Sequence, residues 1–157
     1  MEFIDSKKIR HTLGLQDCYM LVEQSEPVTF HGAIHHIRDM GHFVFLLVRL
    51  RDTVLQCVLE GSAHEQHRQH LHEECTVRLT GRFVHEERAP HGMECRLENV
   101  QILSTPATPL PFSIHKHKIG PNLETELDMR PIVLRNSNRR ARFRIQEGIV
   151  RGFRDFL

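Results

Sequence analysis

Short runs of apolar and β-branched residues, separated by polar or glycine-containing breaks, fill the first two-thirds of the chain. Alternation of apolar and polar residues within a short run is typical of a β-strand with one buried face. The pattern predicts five strands: Val28–Ile37, Phe43–Arg49, Val54–Leu59, Thr76–His85 and Met93–Leu103. Gly32, inside the first strand, predicts a bulge or a tight bend of the kind that a small closed barrel requires.

Two segments in this part of the chain have helical rather than strand spacing. A short helix is predicted at Gln16–Glu23, and a second at Ser62–Glu74, where Ser62 can act as the N-cap. Three strands, a helix and two further strands is the element order of the OB-fold, a five-stranded Greek-key barrel that binds oligonucleotides or oligosaccharides. The predicted fold class is therefore mainly β, with a barrel over residues 1–103.

The composition changes after residue 103. The segment STPATPLP, Ser104–Pro111, contains three prolines and predicts a semi-rigid linker, which we extend over residues 104–124. Residues 125–157 form a third region, in which apolar residues recur at intervals of three and four along a predicted helix, Arg139–Leu157. Six arginines on this helix form either an RNA-binding surface or a solvated charged face, and we favour the solvated face.

The composition narrows the classes of function. The chain has 157 residues and a net charge of +1, so nucleic-acid binding would require a local basic patch. No apolar run approaches the roughly 20 residues that span a bilayer, and the N-terminus has no apolar signal core. We therefore expect a cytoplasmic protein that does not bind membranes. Four scattered cysteines favour a reducing cytosol over a disulfide framework: Cys18, Cys57, Cys75 and Cys95. Cys57 lies inside an apolar run, which predicts a reduced, buried thiol.

Histidine is unusually frequent, with 13 residues in the chain. Four of them fall close together on the predicted helix Ser62–Glu74: His64, His67, His70 and His72. Spacing by one helical turn could hold a metal ion. No closing cysteine or carboxylate pattern accompanies them, so we expect a solvated helix face and no metal.

The segment His42–Gln56, HFVFLLVRLRDTVLQ, combines a predicted hairpin with side chains that recognise nucleic acids. An aromatic ring can stack on a base, a guanidinium group can bind phosphate, and an amide can both donate and accept a hydrogen bond. The alternative interpretation is that Phe43 and Phe45 are core residues and that the arginines are solvated strand ends.

Three stretches in the same order resemble aspartyl-tRNA synthetase, in particular its archaeal and eukaryotic-type branch. The first is FLLVRLRDTVLQ, Phe45–Gln56, which is similar to the anticodon-stacking hairpin. The second is ECRLENVQILSTPATPLP, Glu94–Pro111, which is similar to the last barrel strand and the hinge. The third is LDMRPIVLRNSNRRARFRIQEGIVRGFRDFL, Leu127–Leu157, which is similar to the start of the class II catalytic domain, here truncated.

The resemblance implies a set of anticodon-binding residues. Phe45 matches the ring that stacks on the middle anticodon base, a uridine. Gln56 and Glu94 match residues that hydrogen-bond to anticodon bases. Arg49 matches the arginine of the hairpin, and Arg38 matches a basic residue near the anticodon backbone. The implied partner is the anticodon loop of a tRNA.

The resemblance also implies an activity, the ATP- and magnesium-dependent aspartylation of tRNA by a homodimeric full-length protein. The motifs that bind ATP and the amino acid are missing from this sequence, so we expect no cofactor and no aminoacylation by this chain alone. Met129, Pro131 and Val133 depart from the family pattern at the start of the catalytic domain.

Two other functions remain open. The chain could be a stand-alone OB-fold module that binds single-stranded nucleic acid with little sequence preference. It could also associate through the apolar face of Phe143–Leu157. The related asparaginyl-tRNA synthetases share the barrel, but LDMRPIVLRN follows the aspartate-type pattern.

Overall fold

The computed structural model describes residues 13–24, 26–61 and 70–157. Contacts between α-carbons divide the chain into two compact units, the first ending at Ala107 and the second comprising Thr108–Leu157. The first unit contains the β-strands and a short helix, and the second contains three helices. The elements of the first unit are α1 (Leu15–Val22), β1 (Val28–Asp39), β2 (Phe43–Arg49), β3 (Val54–Glu60), β4 (Thr76–His85), a 3₁₀ turn (Pro90–Gly92) and β5 (Met93–Ser104). The elements of the second unit are α2 (Leu123–Asp128), α3 (Arg130–Val133) and α4 (Ser137–Phe156).

The five strands close into a barrel in the order β1-β2-β3-β5-β4. β1 pairs with β2 through its second half and with β4 through its first half, which joins the two ends of the sheet. β3 and β5 pair in parallel, and the other four pairings are antiparallel. This is the OB-fold order, so the predicted fold class is confirmed, and all five predicted strands are present within two residues of their predicted bounds.

The alternation of residues along each strand determines which side chains fill the barrel. In β2, Val44, Leu46 and Val48 are buried, whereas Phe43, Phe45 and the other odd-numbered residues are only half-buried. Cys57 and Leu59 of β3 and the apolar residues of β4 and β5 complete the same core cluster. One face of each strand is therefore in the core, and the other faces outward.

Gly32 allows β1 to pass close to β2. A Cβ atom at this position would lie 2.4 Å from Cγ1 of Val48 and 3.1 Å from the carbonyl oxygen of Arg49. The neighbouring residue Ala33 is the point where β1 changes partner, since it is paired with residues of both β2 and β4. The bulge itself occurs at His35, three residues beyond the predicted position, where the β1–β2 register shifts.

A second bulge lies between β4 and β5 and also depends on a glycine. The register shifts between Thr80 and Gly81, which leaves Glu98 without a paired residue on β4. A Cβ atom on Gly81 would lie 2.4 Å from the carbonyl oxygen of Arg96. A bulge bends the strand locally, as closure of a small barrel requires.

The short helix α1 is fixed at its N-terminus by two carboxylates. The backbone N–H of Gly14 donates to Asp17 at 2.7 Å, and the N–H of Leu15 donates to Asp52 in the β2–β3 turn at 3.0 Å. Negative charge at a helix N-terminus satisfies unpaired N–H groups and interacts favourably with the helix dipole. The buried side chain of Cys18 joins the barrel core from this helix.

The helix predicted at Ser62–Glu74 falls mainly on residues 62–69, outside the described residues, as do His64 and His67. The described part of that prediction is wrong, because residues 70–75 form a turn, in which Glu74 has a positive φ of 68°. His70 and His72 are exposed in this turn.

All four cysteines are free and buried, which confirms the predicted burial of Cys57. Burial, with a smaller effect from the nearby charge of Asp17, raises the pKa of Cys18 to about 11. Burial and a hydrogen bond with Cys95 raise the pKa of Cys57 well above its usual value. Both thiols therefore stay protonated at neutral pH, and protonated thiols are poor nucleophiles and poor metal ligands.

In the second unit, Asn136 connects a loop to the start of α4. Its side-chain oxygen accepts hydrogen bonds from the N–H groups of Asn138 and Arg139, both at 3.1 Å. Its amide donates to the carbonyl oxygens of Ile114 and Lys116 at 2.8 and 2.9 Å. This N-cap starts the helix at Ser137, two residues before the predicted start, and the sequence analysis missed the short helices α2 and α3.

We expect the Gly81→Ala substitution to destabilise the chain by about 1–3 kcal/mol, because the added methyl group would meet backbone rather than a movable side chain. Urea unfolding measures the change. The matched control is Gly120→Ala, where the added Cβ has open space around it. Equal stability of the two variants would contradict the assigned role of Gly81.

Candidate nucleic-acid interface

One row of outward-facing residues crosses all five strands of the barrel. Cross-strand pairing places Arg38 beside Phe45, Phe45 beside Val58, Val58 beside Arg96, and Arg96 beside Arg82. We call these five residues the Phe45 row. Paired residues in a sheet point to the same face, so the row places an aromatic ring between arginines on one surface.

Phe45 lies on the outer face of the barrel, half-buried, and outside the core cluster. Its ring contacts Phe43 edge-on, with the ring centroids 5.1 Å apart and the planes at 82°. The two rings pack together on this outer face, outside the core cluster. The alternative interpretation, in which these rings are core residues, therefore does not hold for either of them.

Gln56 and Glu94 form the next row of the same face. The Gln56 Nε2 group donates to Oε2 of Glu94 at 3.1 Å. Nε of Arg96 lies 3.5 Å from Oε1 of Glu94, whose side chain is only 8% exposed. The carboxylate is therefore held in one orientation from two sides, and a carboxylate has about four acceptor positions, so it can accept further hydrogen bonds.

Arg49 is on the same strand as Phe45, but its guanidinium group is engaged by a different partner. Its two terminal nitrogens donate to the two oxygens of Glu74 at 2.7 and 2.9 Å. The side chains are 13% and 2% exposed. This bidentate ion pair connects β2 to the turn before β4 and gives Arg49 a structural role.

The structure thus brings together four of the five predicted site residues, Arg38, Phe45, Gln56 and Glu94, and places Arg49 in a separate buried pair. The sequence analysis missed Arg82, Arg96 and Glu74. Alternation along β4 and β5 does place Arg82 and Arg96 outward, but their position beside Phe45 depends on the register between strands, which the sequence pattern does not give.

In the second unit, α4 exposes both arginines and large apolar side chains from Ala141 onward. Phe143, Ile149 and Phe153 are at least half exposed. Within the described part of the chain, no helix has the length and the apolar character needed to cross a membrane.

Comparison with known families agrees with this surface. A family model described as an OB-fold nucleic acid binding domain, the tRNA anticodon family, matches residues 28–103. The matched segment begins at the first residue of β1 and ends one residue before the end of β5, so it covers the whole barrel.

The curated relatives extend the similarity beyond the barrel. The aspartate–tRNA(Asp/Asn) ligase of Archaeoglobus fulgidus is 31% identical over 138 residues, which are 85% of this chain and 32% of that protein. The corresponding ligase of Thermus thermophilus is 35% identical over 126 residues, 80% of this chain and 28% of that protein. Residues 28–103 form an OB-fold domain of the tRNA anticodon family, and the chain is homologous to part of the aspartate–tRNA(Asp/Asn) ligases. It spans about a third of the length of the curated relatives that it matches.

Solved structures of synthetases share the fold. The aspartyl-tRNA synthetase of Entamoeba histolytica has a TM-score of 0.73 at 22% identity, covering 99% of this chain and 40% of that one. The asparaginyl-tRNA synthetase of Pyrococcus horikoshii has a TM-score of 0.74 at 21% identity, covering 94% of this chain and 35% of that one.

We expect Arg49→Met to destabilise the chain by about 3–5 kcal/mol, because it leaves the Glu74 carboxylate buried without its cation. The double variant Arg49→Met, Glu74→Gln removes that buried charge and should recover part of the loss. Urea unfolding of the two single variants and the double variant gives the coupling free energy. Additive effects in this cycle would contradict the structural role of Arg49.

Proposed function

We propose that the outer face of the barrel reads the anticodon loop of tRNA-Asp, with the middle uridine stacked on Phe45. The proposal rests on one observation: the outer face of the sheet carries an outward ring, an amide–carboxylate pair and an exposed arginine. In anticodon-binding OB-folds this combination separates affinity from specificity. Stacking and phosphate contacts hold the loop, and the polar pair distinguishes its bases.

The Phe45 ring supplies affinity with little sequence preference, because every base has a flat face. Stacking of one base on an aromatic side chain contributes about 1–3 kcal/mol. The edge contact with Phe43 restricts rotation of the Phe45 ring. A ring that is already held in place loses less conformational freedom when a base binds.

The Gln56–Glu94 pair supplies the discrimination. A carboxylate accepts a hydrogen bond from the exocyclic amine of cytosine and repels a carbonyl oxygen at the same position. Gln56 donates to Glu94 through its amide nitrogen, which directs its amide oxygen towards other donors. We infer that Gln56 and Glu94 form hydrogen bonds with the edges of the anticodon bases, the stacked uridine included, and that Arg38 contacts the backbone of the loop.

For the whole protein we propose the activity that the relatives' names give, aspartate–tRNA ligase, with ATP and magnesium bound outside this chain. We also propose a cytoplasmic homodimer. The exposed apolar residues of α4 support association, because large apolar side chains grouped on a surface are usually covered in the functional assembly.

A second candidate is a module that binds single-stranded nucleic acid without base preference. The Phe45 row alone favours it, since a ring and arginines recognise stacking and charge rather than base identity. The two functions differ in whether replacement of the middle uridine weakens binding.

The test is binding of the purified chain to a tRNA-Asp anticodon stem-loop, and to the same loop with the middle uridine replaced. We expect replacement to weaken binding about tenfold or more, as loss of a good base contact does. Phe45→Leu keeps an apolar side chain against Val58 but removes the flat ring, and should weaken binding about fivefold or more. Equal binding of both loops would favour the non-specific module.

The control for Phe45→Leu is Phe43→Leu, which removes a ring from the same face of β2. Phe43 lies beside Glu60 rather than within the Phe45 row. We expect a smaller loss of affinity from Phe43→Leu. A Phe45→Leu protein that binds the stem-loop as tightly as the unmodified chain would contradict the assignment of the stacking ring.

A further inference from the structure

The Phe45 row continues past the predicted anticodon contacts onto β5 and β4. Arg96 and Arg82 are cross-strand partners there, and their side chains are 64% and 56% exposed. Neighbouring strands are about 4.8 Å apart. Along the row, the backbone of Arg96 is two strands from that of Phe45, about 10 Å away, and the backbone of Arg82 is three strands away, about 15 Å. Arg82 has no role in the base contacts proposed above, and Arg96 takes part in them only by orienting Glu94.

The pairing of two arginines is unfavourable for the isolated barrel. Directly opposed residues have Cβ atoms about 4.5–5.5 Å apart, and like charges at that distance destabilise a sheet. Each arginine has a carboxylate nearby, since Nε of Arg82 lies 3.0 Å from Glu98 and Nε of Arg96 lies 3.5 Å from Glu94. The Arg82–Glu98 pair is exposed on both sides and sits at the bulge, so it stabilises the fold little.

The two guanidinium groups differ from the other arginines of the barrel face in what they contact. Arg49 is fixed by a buried carboxylate. Arg78 donates to His31 at 3.1 Å and to Gln101 at 3.2 Å. Arg82 and Arg96 instead are cross-strand partners with exposed side chains, and Val58 separates them from Phe45 along the row. An anion with more than one charged group would relieve their repulsion.

We propose that Arg82 and Arg96 bind successive phosphate groups of the RNA strand whose base stacks on Phe45. The proposal rests on the function proposed above and extends the RNA path from β2 across β5 to β4. Guanidinium groups bind phosphate oxygens through planar, charge-assisted hydrogen bonds. Such contacts fix the position of the strand and carry no sequence information. Arg82 and Arg96 are thus positioning residues, and Phe45, Gln56 and Glu94 remain the residues that contact bases.

The decisive experiment measures the salt dependence of binding. The unmodified chain and the Arg82→Gln, Arg96→Gln double variant are titrated with the tRNA-Asp stem-loop and with its uridine-replaced form, at two salt concentrations. Each phosphate contact with single-stranded RNA contributes about 0.7 to the slope of log affinity against log salt concentration. The double variant loses two such contacts. The ratio of the affinity of the unmodified chain to that of the variant should therefore fall about sevenfold between about 50 and 200 mM salt. In the single variant Arg82→Gln, which leaves the Arg96–Glu94 contact intact, the ratio of affinities for the two loops should stay unchanged.

Arg82→Gln alone keeps the Arg96–Glu94 contact intact and should show about half of the change in slope. Its melting temperature should equal or exceed that of the unmodified chain, because the substitution removes the repulsion between the two arginines. A purely structural role for Arg82 would lower the melting temperature instead. Weaker RNA binding by a variant that is no less stable therefore supports the proposal.

Two controls complete the design. Arg78→Gln removes one exposed positive charge from β4, four residues from Arg82, and should leave the salt slope unchanged. The double lysine variant, Arg82→Lys and Arg96→Lys, should retain most of the slope. An unchanged salt slope in the double glutamine variant would overturn this proposal while leaving the uridine preference, and thus the proposed function, intact. Failure of the unmodified chain to bind either loop would overturn both.

Discussion

Closure of the barrel through β1 is the constraint on which the rest of the first unit depends. Ala33 is paired with both Arg49 of β2 and Thr76 of β4, so a single strand fixes the register of both ends of the sheet. That change of partner requires close backbone approach, which Gly32 permits because a Cβ atom there would meet Val48. A slip of one residue would turn every core side chain outward, so the register is strongly determined by burial.

The same register builds the nucleic-acid face. Once β1 to β5 are aligned, Phe45, Val58 and Arg96 must be neighbours, because no loop conformation intervenes between them. Sites built on strands hold their side chains more accurately than sites on flexible loops. The face is organised in rows, with Phe45 and the arginines in one row and the Gln56–Glu94 pair in the next. In the function that we propose, affinity and base discrimination belong to adjacent but separate groups of residues.

Prediction from sequence succeeded where local pattern decides the structure and failed where distant residues meet. Alternation identified every strand, whereas the binding roles of the Phe45 ring and the Gln56 amide stay predictions. The position of the bulge at His35 depends on how β1 is shared between β2 and β4, which no local pattern shows. The partner of Arg49 is Glu74, 25 residues further along the chain. Glu74 lies in a turn, but the helical spacing of the residues before it predicted a helix there. The short helix α2 begins with an Asn122 N-cap in a stretch otherwise typical of loops.

Three arginines of the barrel show why residue type alone does not assign function. Arg49 is held by two hydrogen bonds to a carboxylate that is almost fully buried, so moving its charge to an RNA would leave Glu74 uncompensated. Arg38 is exposed beside Phe45, and Arg82 pairs with an exposed carboxylate, so both can exchange their surroundings for phosphate at little cost. The burial of the partner, rather than the charge of the arginine, therefore separates a structural guanidinium from one that is available to bind RNA.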